Sequence, residues 1–400
     1  MDLLVEEVTA IKNVIECARS LVQTPSLSGE EKDLALLIKE VLEDFSLDKA
    51  YIDELGNVVG FVKGKASHPL VVLEGHMDHV SPGNLMQWKY PPYAAKVVDG
   101  KIFGRAVVDM KAAIAAMIFA AREIASREHD GTLALCFVVH EETAEGTAIS
   151  QVIDKELKET PDLFVLGEAT NMQLGVGHRG RAVIKVELIG KTAHASMPEL
   201  GLNAIHAASK LVKYIDESLS PHLPLHEKLG KATVTTISLE ALPRGVPQIP
   251  DKAEVLFDRR IILGETEEEE VLKPIRTKIN ELLASNAILD GKVYILENYL
   301  SCWNGIKFKV KNFFPAWLFQ DVNITHKALK VISNVGLPAK THIWRFSTDG
   351  VSTYGQKQLP TIGFGPGEEE LAHQPNEYVL VKDVEKAVEV YAALAESFIS

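Results

Sequence analysis

Residues 70–79 read LVVLEGHMDH, a short unbroken apolar run that ends in a histidine and, two positions later, an aspartate. Runs of this kind, without alternation, are typical of strands that are buried on both faces in a helix-covered parallel sheet. His76 and Asp78 should point to the same side of the chain, because strand side chains alternate. The stretch therefore predicts a buried strand that brings a histidine to a sheet edge. There the imidazole either binds a metal ion or forms an ordinary hydrogen bond.

The same pattern recurs in other parts of the chain. Further apolar runs lead into carboxylate or histidine residues: LALCFVV (133–139) before Glu141 and Glu142, LFVL (163–166) before Glu168, and TIGF (361–364) before His373. Residues 110–125 predict a helix that is apolar on most sides, and Asp109 lies directly before it. Ligands of open parallel sheets bind outside the carboxyl ends of the strands, so we expect these groups at one edge.

Each of these residues also has an ordinary explanation when it is taken alone. An aspartate before a helix is commonly an N-cap, and a pair of glutamates is commonly a solvated turn. The combination is more informative, because two imidazoles and three carboxylates form a suitable N/O ligand set for two divalent cations. Five such groups are much less likely to meet at one edge by chance than any one of them is to have an ordinary structural role. The set therefore favours a metal centre.

The middle of the chain has a different pattern. It alternates apolar and polar residues in strand candidates and contains helix candidates, in the order strand 181–190, helix 202–219, strands 233–239 and 253–261, helix 266–285, strand 293–298. This order is that of a ferredoxin-like unit. We predict an α/β chain whose catalytic domain, a helix-covered and mostly parallel sheet, spans 1–179 and 311–400. A ferredoxin-like α+β domain, residues 180–310, is inserted into it.

Composition narrows the class of protein. The 400 residues include 55 acidic and 42 basic side chains, and the net charge of -13 argues against nucleic acid and anionic membranes as main partners. No apolar run reaches the roughly 18 residues needed to span a bilayer. Residues 1–21 predict an amphipathic helix and lack the features of a signal peptide. The cysteines, Cys17, Cys136 and Cys302, form no CxxC pair, which fits a reducing cytoplasm.

Several longer segments make the sequence recognisable. It resembles the zinc aminoacylase family, which includes acetylornithine deacetylase, succinyl-diaminopimelate desuccinylase and glutamate carboxypeptidase. The matching segments occur in order along nearly the whole chain: GHMDHV (75–80), GRAVVDMKA (104–112), HEET (140–143), GEAT (167–170), HRGRAVIKVELIGKTAHASMPELGLNAI (178–205), IPDKAEVLFDRR (249–260), and IGFGPG to AHQPNE (362–377). The phrases STDGVSTYG (347–355) and DRRIILGET (258–266) look most like the branch of the family that is linked to selenium metabolism.

The resemblance implies two divalent cations, with zinc as the first choice and cobalt or manganese as alternatives. The implied ligands are divided between the cations: His76 and Glu168 for the first, Glu142 and His373 for the second, and Asp109 as the bridge. In this family the peptide after the bridging aspartate is typically cis, so the resemblance also implies a cis bond between Asp109 and Met110.

The resemblance further implies roles in catalysis. Asp78 would orient His76, and Glu141 would be the general base that takes a proton from a metal-bridging water and passes it to the leaving nitrogen. His194 would reach from the inserted domain of one subunit into the active site of the other and donate a hydrogen bond to the developing oxyanion. This implies a homodimer formed through the inserted domain.

Substrate contacts are also implied. Arg260 matches the arginine that commonly receives a substrate carboxylate, and a planar guanidinium suits that task. Arg179 is a second candidate, and for either arginine the alternative is a structural ion pair. The family often has an asparagine three residues before Pro250, where this sequence has Pro247, so Gln248 is a possible substitute.

These features predict a metal-dependent hydrolase that cleaves an amide bond in a small N-acyl amino acid or a related carboxylate-bearing substrate. A dipeptidase or carboxypeptidase is the alternative, since both would use the same machinery and differ in a pocket that the motifs do not specify. A non-catalytic binding relative is disfavoured, because the expected ligands and the general base are all present.

Overall fold

The structure is a computed structural model that describes residues 11–45 and 47–400. Two compact units are found in it. Unit 1 contains the described residues up to Gly177 together with 299–308 and 318–400, and unit 2 contains 178–298 and 309–317. Residues 1–10 of the predicted amphipathic helix lie outside the described residues. The following helix begins at Val14.

The regular elements are numbered here in chain order. The α-helices are α1 Val14–Gln23, α2 Lys32–Asp44, α3 Ala112–Ala125, α4 Glu141–Ala144, α5 Thr147–Lys155, α6 Ala204–Tyr214, α7 Lys273–Ala284, α8 Val322–Asn334 and α9 Val381–Ile399. The strands are β1 Lys49–Ile52, β2 Val58–Val62, β3 Leu70–His76, β4 Lys96–Val98, β5 Lys101–Phe103, β6 Thr132–Val138, β7 Leu163–Leu166, β8 Leu174–His178, β9 Gly180–Ile189, β10 Leu225–His226, β11 Gly230–Lys231, β12 Thr233–Leu242, β13 Lys252–Ile261, β14 Asp290–Ile295, β15 Glu297–Ser301, β16 Lys307–Lys311, β17 Phe313–Phe314, β18 Trp317–Leu318, β19 Thr341–Trp344, β20 Thr361–Gly363 and β21 Tyr378–Leu380.

The main sheet of unit 1 has the order β1-β2-β6-β3-β7-β20-β8. Its centre is parallel, because β3 pairs in parallel with both β6 and β7, and β20 pairs in parallel with β7. Every residue of β3, β6 and β7 is buried, as expected for apolar runs covered on both faces by helices. The predicted α/β fold with a helix-covered parallel sheet is confirmed for this centre.

The outer strands of this sheet are antiparallel. β1 pairs with β2, β2 with β6, and β8 with β20 in this orientation. The short connection between β1 and β2 explains the first pair, since only antiparallel neighbours can be joined without a long crossover. Helix α3 is buried along most of its length, as its composition predicted. Among the described helices, none combines the length and the apolar composition needed to cross a membrane.

Unit 2 contains the elements β9, α6, β12, β13, α7 and β14 in chain order. Its sheet has the order β12-β13-β9-β14, and each of these neighbouring pairs is antiparallel. This is the arrangement of a ferredoxin-like unit, as the sequence predicted. Buried and half-buried residues alternate strictly along β13, so one face of the sheet carries the apolar side chains and the other carries most of the charges.

Candidate metal centre

The carboxyl ends of the central strands of unit 1 carry the predicted ligands. His76 is the last residue of β3, Glu141 and Glu142 open helix α4 just after β6, and Glu168 follows β7. Since β3 is parallel to both β6 and β7, these ends lie at one edge of the sheet. His373 lies on the loop between β20 and β21 and reaches the same place through contacts with Glu142.

Asp109 lies between the two predicted imidazoles. Its Oδ1 is 2.8 Å from Nε2 of His76, and its Oδ2 is 3.0 Å from Nε2 of His373. Helix α3 begins at Ala112, so Asp109 is not its N-cap. The Asp109–Met110 peptide is cis, as the resemblance implied. One carboxylate thus presents one oxygen to each histidine, which is the arrangement expected of a bridging ligand.

Two groups of side chains around Asp109 could each hold a cation. His76, Glu141 and Glu168 form the first group, Asp109, Glu142 and His373 form the second, and the ligand atoms within each group lie within 4.8 Å of one another. Oε1 of Glu142 is 2.9 Å from Nε2 of His373, and Oε1 of Glu168 is 3.6 Å from Nε2 of His76. All five predicted ligands are therefore brought together.

Glu141 lies with the ligands, so its position alone does not separate a base from a ligand. Its carboxylate belongs to the group that contains His76 and Glu168. Asp109 already approaches His76 more closely than Glu168 does. If Glu141 moves protons, His76, Asp109 and Glu168 are still available to bind a cation in this group.

Asp78 contacts His76 mainly through its backbone. The Nδ1 atom of His76 is 2.9 Å from the carbonyl oxygen of Asp78 and 3.6 Å from its carboxylate Oδ1. The carboxylate instead accepts hydrogen bonds from the backbone N–H groups of Glu141 at 2.9 Å and Glu142 at 3.2 Å. His140 precedes α4 but forms no side-chain hydrogen bond that caps this helix. Asp78, which lies two residues beyond the end of β3, therefore caps it instead. Asp78 therefore links a ligand strand to the glutamate pair.

The ionisation of the centre follows from its burial and its close charges. Burial lowers the pKa of His76, but the nearby Asp109 and Asp78 outweigh this effect and raise it well above the usual value. Hydrogen bonds to Asp109 and Glu142 raise the pKa of His373 to about 10. Burial raises the pKa values of Glu141 and Glu168 well above the normal range for a carboxyl group. Burial and crowding therefore oppose ionisation of these acids, and the two imidazoles are the basic groups that lie closest to them.

This donor set fits divalent cations. Oε2 of Glu168 and Oε1 of Glu141 are buried and have no hydrogen-bond partner among the described residues. A buried carboxylate oxygen without a partner is costly, and a cation removes that cost. Imidazole nitrogens and carboxylate oxygens are ligands that zinc, cobalt and manganese accept.

Arg105 and Glu377 also contact the site, although the sequence analysis predicted no role for them. Nη1 of Arg105 is 3.1 Å from Oε2 of Glu377, and both side chains are buried. Arg105 also donates to the carbonyl oxygen of His373 at 3.2 Å, and Glu377 accepts from the N–H of Val107 at 3.2 Å. The pair therefore joins the loop of His373 to the segment before Asp109. Both residues stand in segments that carried the resemblance, which was the available signal.

The remaining predicted residues lie in unit 2. His194 is exposed, its Nδ1 is 2.7 Å from Oγ of Ser196, and it forms an isolated antiparallel bridge with Gln248. The structure thus places His194 and Gln248 side by side. Nε of Arg260 donates to Asp258 at 2.8 Å, and Nη1 of Arg179 donates to the carbonyl oxygen of Lys231 at 2.9 Å.

A sheet edge that gathers imidazoles and carboxylates in this way is typical of metal-dependent hydrolases. Residues 72–397 match the model of Peptidase family M20/M25/M40. The chain belongs to this family.

Comparisons with individual proteins agree with this assignment. The uncharacterized protein YgeY of Escherichia coli (strain K12) is 34% identical over 388 residues, which are 96% of this chain and 93% of YgeY. The crystal structure of aminopeptidase PepT from Bacillus cereus has a TM-score of 0.74 at 20% identity and covers 97% of this chain and 98% of PepT. The YXEP protein of Bacillus subtilis, a dinuclear metal binding peptidase, has a TM-score of 0.68 at 18% identity and covers 96% of this chain and 97% of YXEP. These two structures show the shared fold.

Proposed function

We propose that the protein is a binuclear metal-dependent hydrolase that cleaves an amide bond in a small N-acyl amino acid or a related carboxylate-bearing substrate. The observation that carries this proposal is the position of Asp109, with one carboxylate oxygen near His76 and the other near His373. Glu168 and Glu142 complete the two ligand sets on either side. The dinuclear metal binding of the structurally similar YXEP protein supports two cations here.

When bound, two such cations supply Lewis-acid polarisation of a carbonyl group and lower the pKa of a water molecule. Zinc is the first candidate, with cobalt and manganese as alternatives. The five ligands hold the cations, and Asp78 holds the peptide that carries Glu141. Glu141 acts as the general base: it accepts a proton from the attacking water and returns it to the leaving nitrogen. A buried carboxylate with a raised pKa is suited to this exchange, because its basicity is closer to neutral pH.

The substrate carboxylate is assigned to Arg260, with Arg179 and Gln248 as further contacts. Arg260 is half-buried on the more polar face of the unit 2 sheet, and Asp258 holds its guanidinium group through Nε. A guanidinium held in this way keeps its terminal N–H groups in a fixed plane, which suits a carboxylate ligand. His194, beside Gln248, is assigned the hydrogen bond to the oxyanion.

The inserted domain is proposed to form a homodimer. Strand β12 lies at one edge of the unit 2 sheet and exposes Ile237, Leu239 and Leu242. Long edge strands with exposed apolar side chains favour pairing with another strand, and a second copy offers the same edge about a two-fold axis. The buried free thiols of Cys17, Cys136 and Cys302 fit a cytoplasmic protein.

A peptidase that acts on dipeptides or on the carboxyl end of short peptides is the second candidate. The observation that favours a peptidase in general is the fold shared over nearly the whole chain with two solved peptidases, PepT and YXEP. Placement in the selenium-metabolism-linked branch rests on the segments 258–266 and 347–355. This placement does not separate the two candidates, because both cleave an amide bond.

A substrate screen tests these assignments. The purified chain is stripped of metal, reloaded with zinc, cobalt or manganese, and offered N-acyl amino acids in parallel with dipeptides and tripeptides. We expect hydrolysis of N-acyl amino acids that carry a free carboxylate, and weaker hydrolysis of their amidated counterparts. Preferential cleavage of peptides would support the second candidate. No hydrolysis of any amide by the metal-loaded protein, in any of the three forms, would contradict the proposed function.

A further inference from the structure

The connection between helices α1 and α2 in unit 1 contacts the chain around Asp78. We call residues Ser26–Glu31 the 26–31 segment. Leu27 forms a parallel bridge with His79, whose N–H donates to the carbonyl oxygen of Ser26 at 3.0 Å. Oγ of Ser26 donates to the carbonyl oxygen of Met77 at 2.7 Å. The segment is therefore fixed to the chain on both sides of Asp78.

Ser28 continues these contacts into the side chain of Asp78. Its Oγ donates to Oδ2 of Asp78 at 2.6 Å, and the same oxygen accepts the N–H of Glu142. Oδ1 of Asp78 accepts the N–H of Glu141. The hydroxyl of Ser28 thus selects the orientation in which one carboxylate receives both amides of the glutamate pair.

Glu31 holds the residue on the other side of Glu141. Its side chain is buried, and its Oε1 accepts the backbone N–H of His140 at 3.2 Å. The same oxygen accepts the N–H of Gly29 at 2.8 Å. His140 has a φ of 60°, so the chain turns sharply at this point before Glu141. An acceptor on the His140 amide helps to keep this turn in place.

We propose that Ser28 and Glu31 are positioning residues for Glu141. Neither is among the residues grouped as cation ligands, yet the 26–31 segment holds the peptide groups immediately before and after the Glu141 side chain. The identity of the reaction rests on the proposed function above, whereas the positioning of Glu141 rests on these hydrogen bonds alone. Loss of a group that orients a ligand or catalytic residue typically costs about 10–100-fold in activity or metal affinity.

The Ser28 hydroxyl is tested with a matched pair of variants. Ser28→Ala removes the hydroxyl, and Ser28→Thr keeps it at a half-buried position. We expect Ser28→Ala to lower kcat about 10–100-fold, with KM and metal content unchanged, and Ser28→Thr to retain most of kcat. Ser126→Ala is the control, because the Ser126 hydroxyl is exposed and donates to the carbonyl oxygen of Glu123 in its own helix.

A second measurement does not depend on activity. Amide hydrogen exchange of the metal-free protein reports directly on the N–H groups of Glu141 and Glu142. With Ser28→Ala, we expect these amides to exchange about fivefold faster, as loss of one net hydrogen bond implies. With Ser28→Thr, exchange should match the unmodified protein.

Glu31 is tested in the same way. Glu31→Gln keeps an oxygen acceptor for the His140 amide, whereas Glu31→Leu removes it at similar volume. We expect Glu31→Leu to lower kcat and to speed exchange of the His140 amide, and Glu31→Gln to restore both. Glu30→Gln, at the exposed neighbouring position, should change neither.

The outcomes separate positioning from a structural role. Equal losses in Ser28→Ala and Ser28→Thr, or a loss of kcat that follows melting temperature or metal content, would overturn the proposal. Unchanged kcat and unchanged exchange in Ser28→Ala would do the same. If the metal-loaded parent protein hydrolyses no amide, the proposed function fails. The exchange comparison between Ser28→Ala and Ser28→Thr then still decides whether the segment positions Glu141.

Discussion

The proposed mechanism gives separate tasks to two neighbouring carboxylates, Glu141 and Glu142. Both residues begin the same short helix, and Asp78 accepts the backbone N–H of each. Glu142 contacts His373 at 2.9 Å, while an oxygen of Glu141 is buried without a hydrogen-bond partner among the described residues. The contact with His373 supports the proposed metal binding by Glu142, and the proposed mechanism gives the proton exchange to Glu141.

This division predicts different losses for two isosteric variants. Glu141→Gln should keep its metal content and lose about 10²–10⁴-fold in kcat, because the amide cannot accept the proton. Glu142→Gln should lose part of its metal, because the amide is a weaker ligand than a carboxylate. Metal analysis beside steady-state kinetics distinguishes the two. A loss of one metal equivalent in Glu141→Gln would make Glu141 a ligand, and near-normal turnover would remove it from the mechanism.

His79 gives the fold a dependence on pH that is separate from the ligands. Its Nε2 accepts the N–H of Ser26 at 3.0 Å, and its Nδ1 contacts the carbonyl oxygen of Val80 at 2.8 Å, so both ring nitrogens are used by the neutral form. Burial and then the charge of Lys111 lower the pKa of His79 to about 4. Protonation would direct an N–H group at the N–H of Ser26.

The sign of the effect follows from this lowered pKa. In the unfolded chain the pKa is about 6.5, so between roughly pH 6.5 and 4 only the unfolded state takes up the proton. We expect His79 to reduce the free energy of unfolding by up to about 3 kcal/mol as the pH falls through this range. His79→Gln should flatten that part of the profile when unfolding in urea is compared at several pH values. Parallel profiles for the two proteins would contradict the assignment.

At this scale the sequence predicted residue types better than contacts. Strand ends and a family resemblance were sufficient to bring the five ligands together. They did not show that Asp78 accepts hydrogen bonds from the amides of Glu141 and Glu142, because those amides belong to helix α4, which follows a different strand of the sheet. The partnership of Arg105 and Glu377 was missed for a similar reason, since the two are far apart in sequence and meet only after folding.

At the scale of elements, the sheet of unit 1 depends on close approach at its glycines. Gly175 in β8 pairs with Gly363 in β20, and the ring of Trp344 lies against both. A Cβ atom would lie 2.2 Å from this ring at Gly175 and 2.3 Å from it at Gly363. Trp344 is buried, and its Nε1 donates to the carbonyl oxygen of Ala169 at 2.9 Å, next to Glu168. The glycine pair therefore makes room for the indole that supports the Glu168 loop.

Gly363→Ala should consequently lower stability. A rigid buried ring has little freedom to move, and overpacking of this kind typically costs about 1–3 kcal/mol. Thermal unfolding should show a lower Tm for Gly363→Ala. Gly363→Ala should lower Tm less in the Trp344→Phe background than in the parent protein, because the smaller ring leaves space for the methyl group. Additive losses would mean that the ring does not cause the effect.

Element prediction succeeded where periodicity was strong. The apolar runs of β3, β6 and β7 and the alternating pattern of β13 carried enough information to identify their type and place. The antiparallel strands β1 and β2 were not predicted, although their hairpin extends the sheet beyond β6. Orientation there depends on the length of a turn and not on the apolar pattern of the strands.

At the scale of the whole molecule, the chain passes between the units more than once. Residues 299–308, which include the end of β15 and the start of β16, belong to unit 1, and 309–317 return to unit 2. In unit 1, the carbonyl oxygen of Ser301 is 3.1 Å from Nε2 of His140. The sequence predicted a single insertion over 180–310. It did not reveal the boundaries at 299 and 309, because neither composition nor periodicity changes there.

The predicted metal ligands lie in unit 1, and His194 lies in unit 2. His194 is exposed, and among the described residues its side chain bonds to the neighbouring Ser196, a local contact that does not require a histidine. The proposed dimer gives it a role as a hydrogen-bond donor to the oxyanion in the other subunit. Such a donor is worth about 2.7–4 kcal/mol, or roughly 10²–10³-fold in kcat. His194→Ala should therefore lose this much kcat and keep its metal content.

A mixture of variants tests whether His194 acts across the dimer. Glu141→Gln and His194→Ala are each nearly inactive in the proposal, but a mixed dimer would have one site with an intact Glu141 from one chain and an intact His194 from the other. The two variants are mixed under conditions of subunit exchange, and mass measurement of the intact dimers gives the fraction of mixed dimers. Activity should be restored in proportion to that fraction. Mixtures of Glu141→Gln with Glu142→Ala provide the control, because these two chains differ in mass, both residues belong to the same chain's site, and a mixed dimer should gain nothing. Full exchange without recovery would place His194 in its own chain's site or outside catalysis.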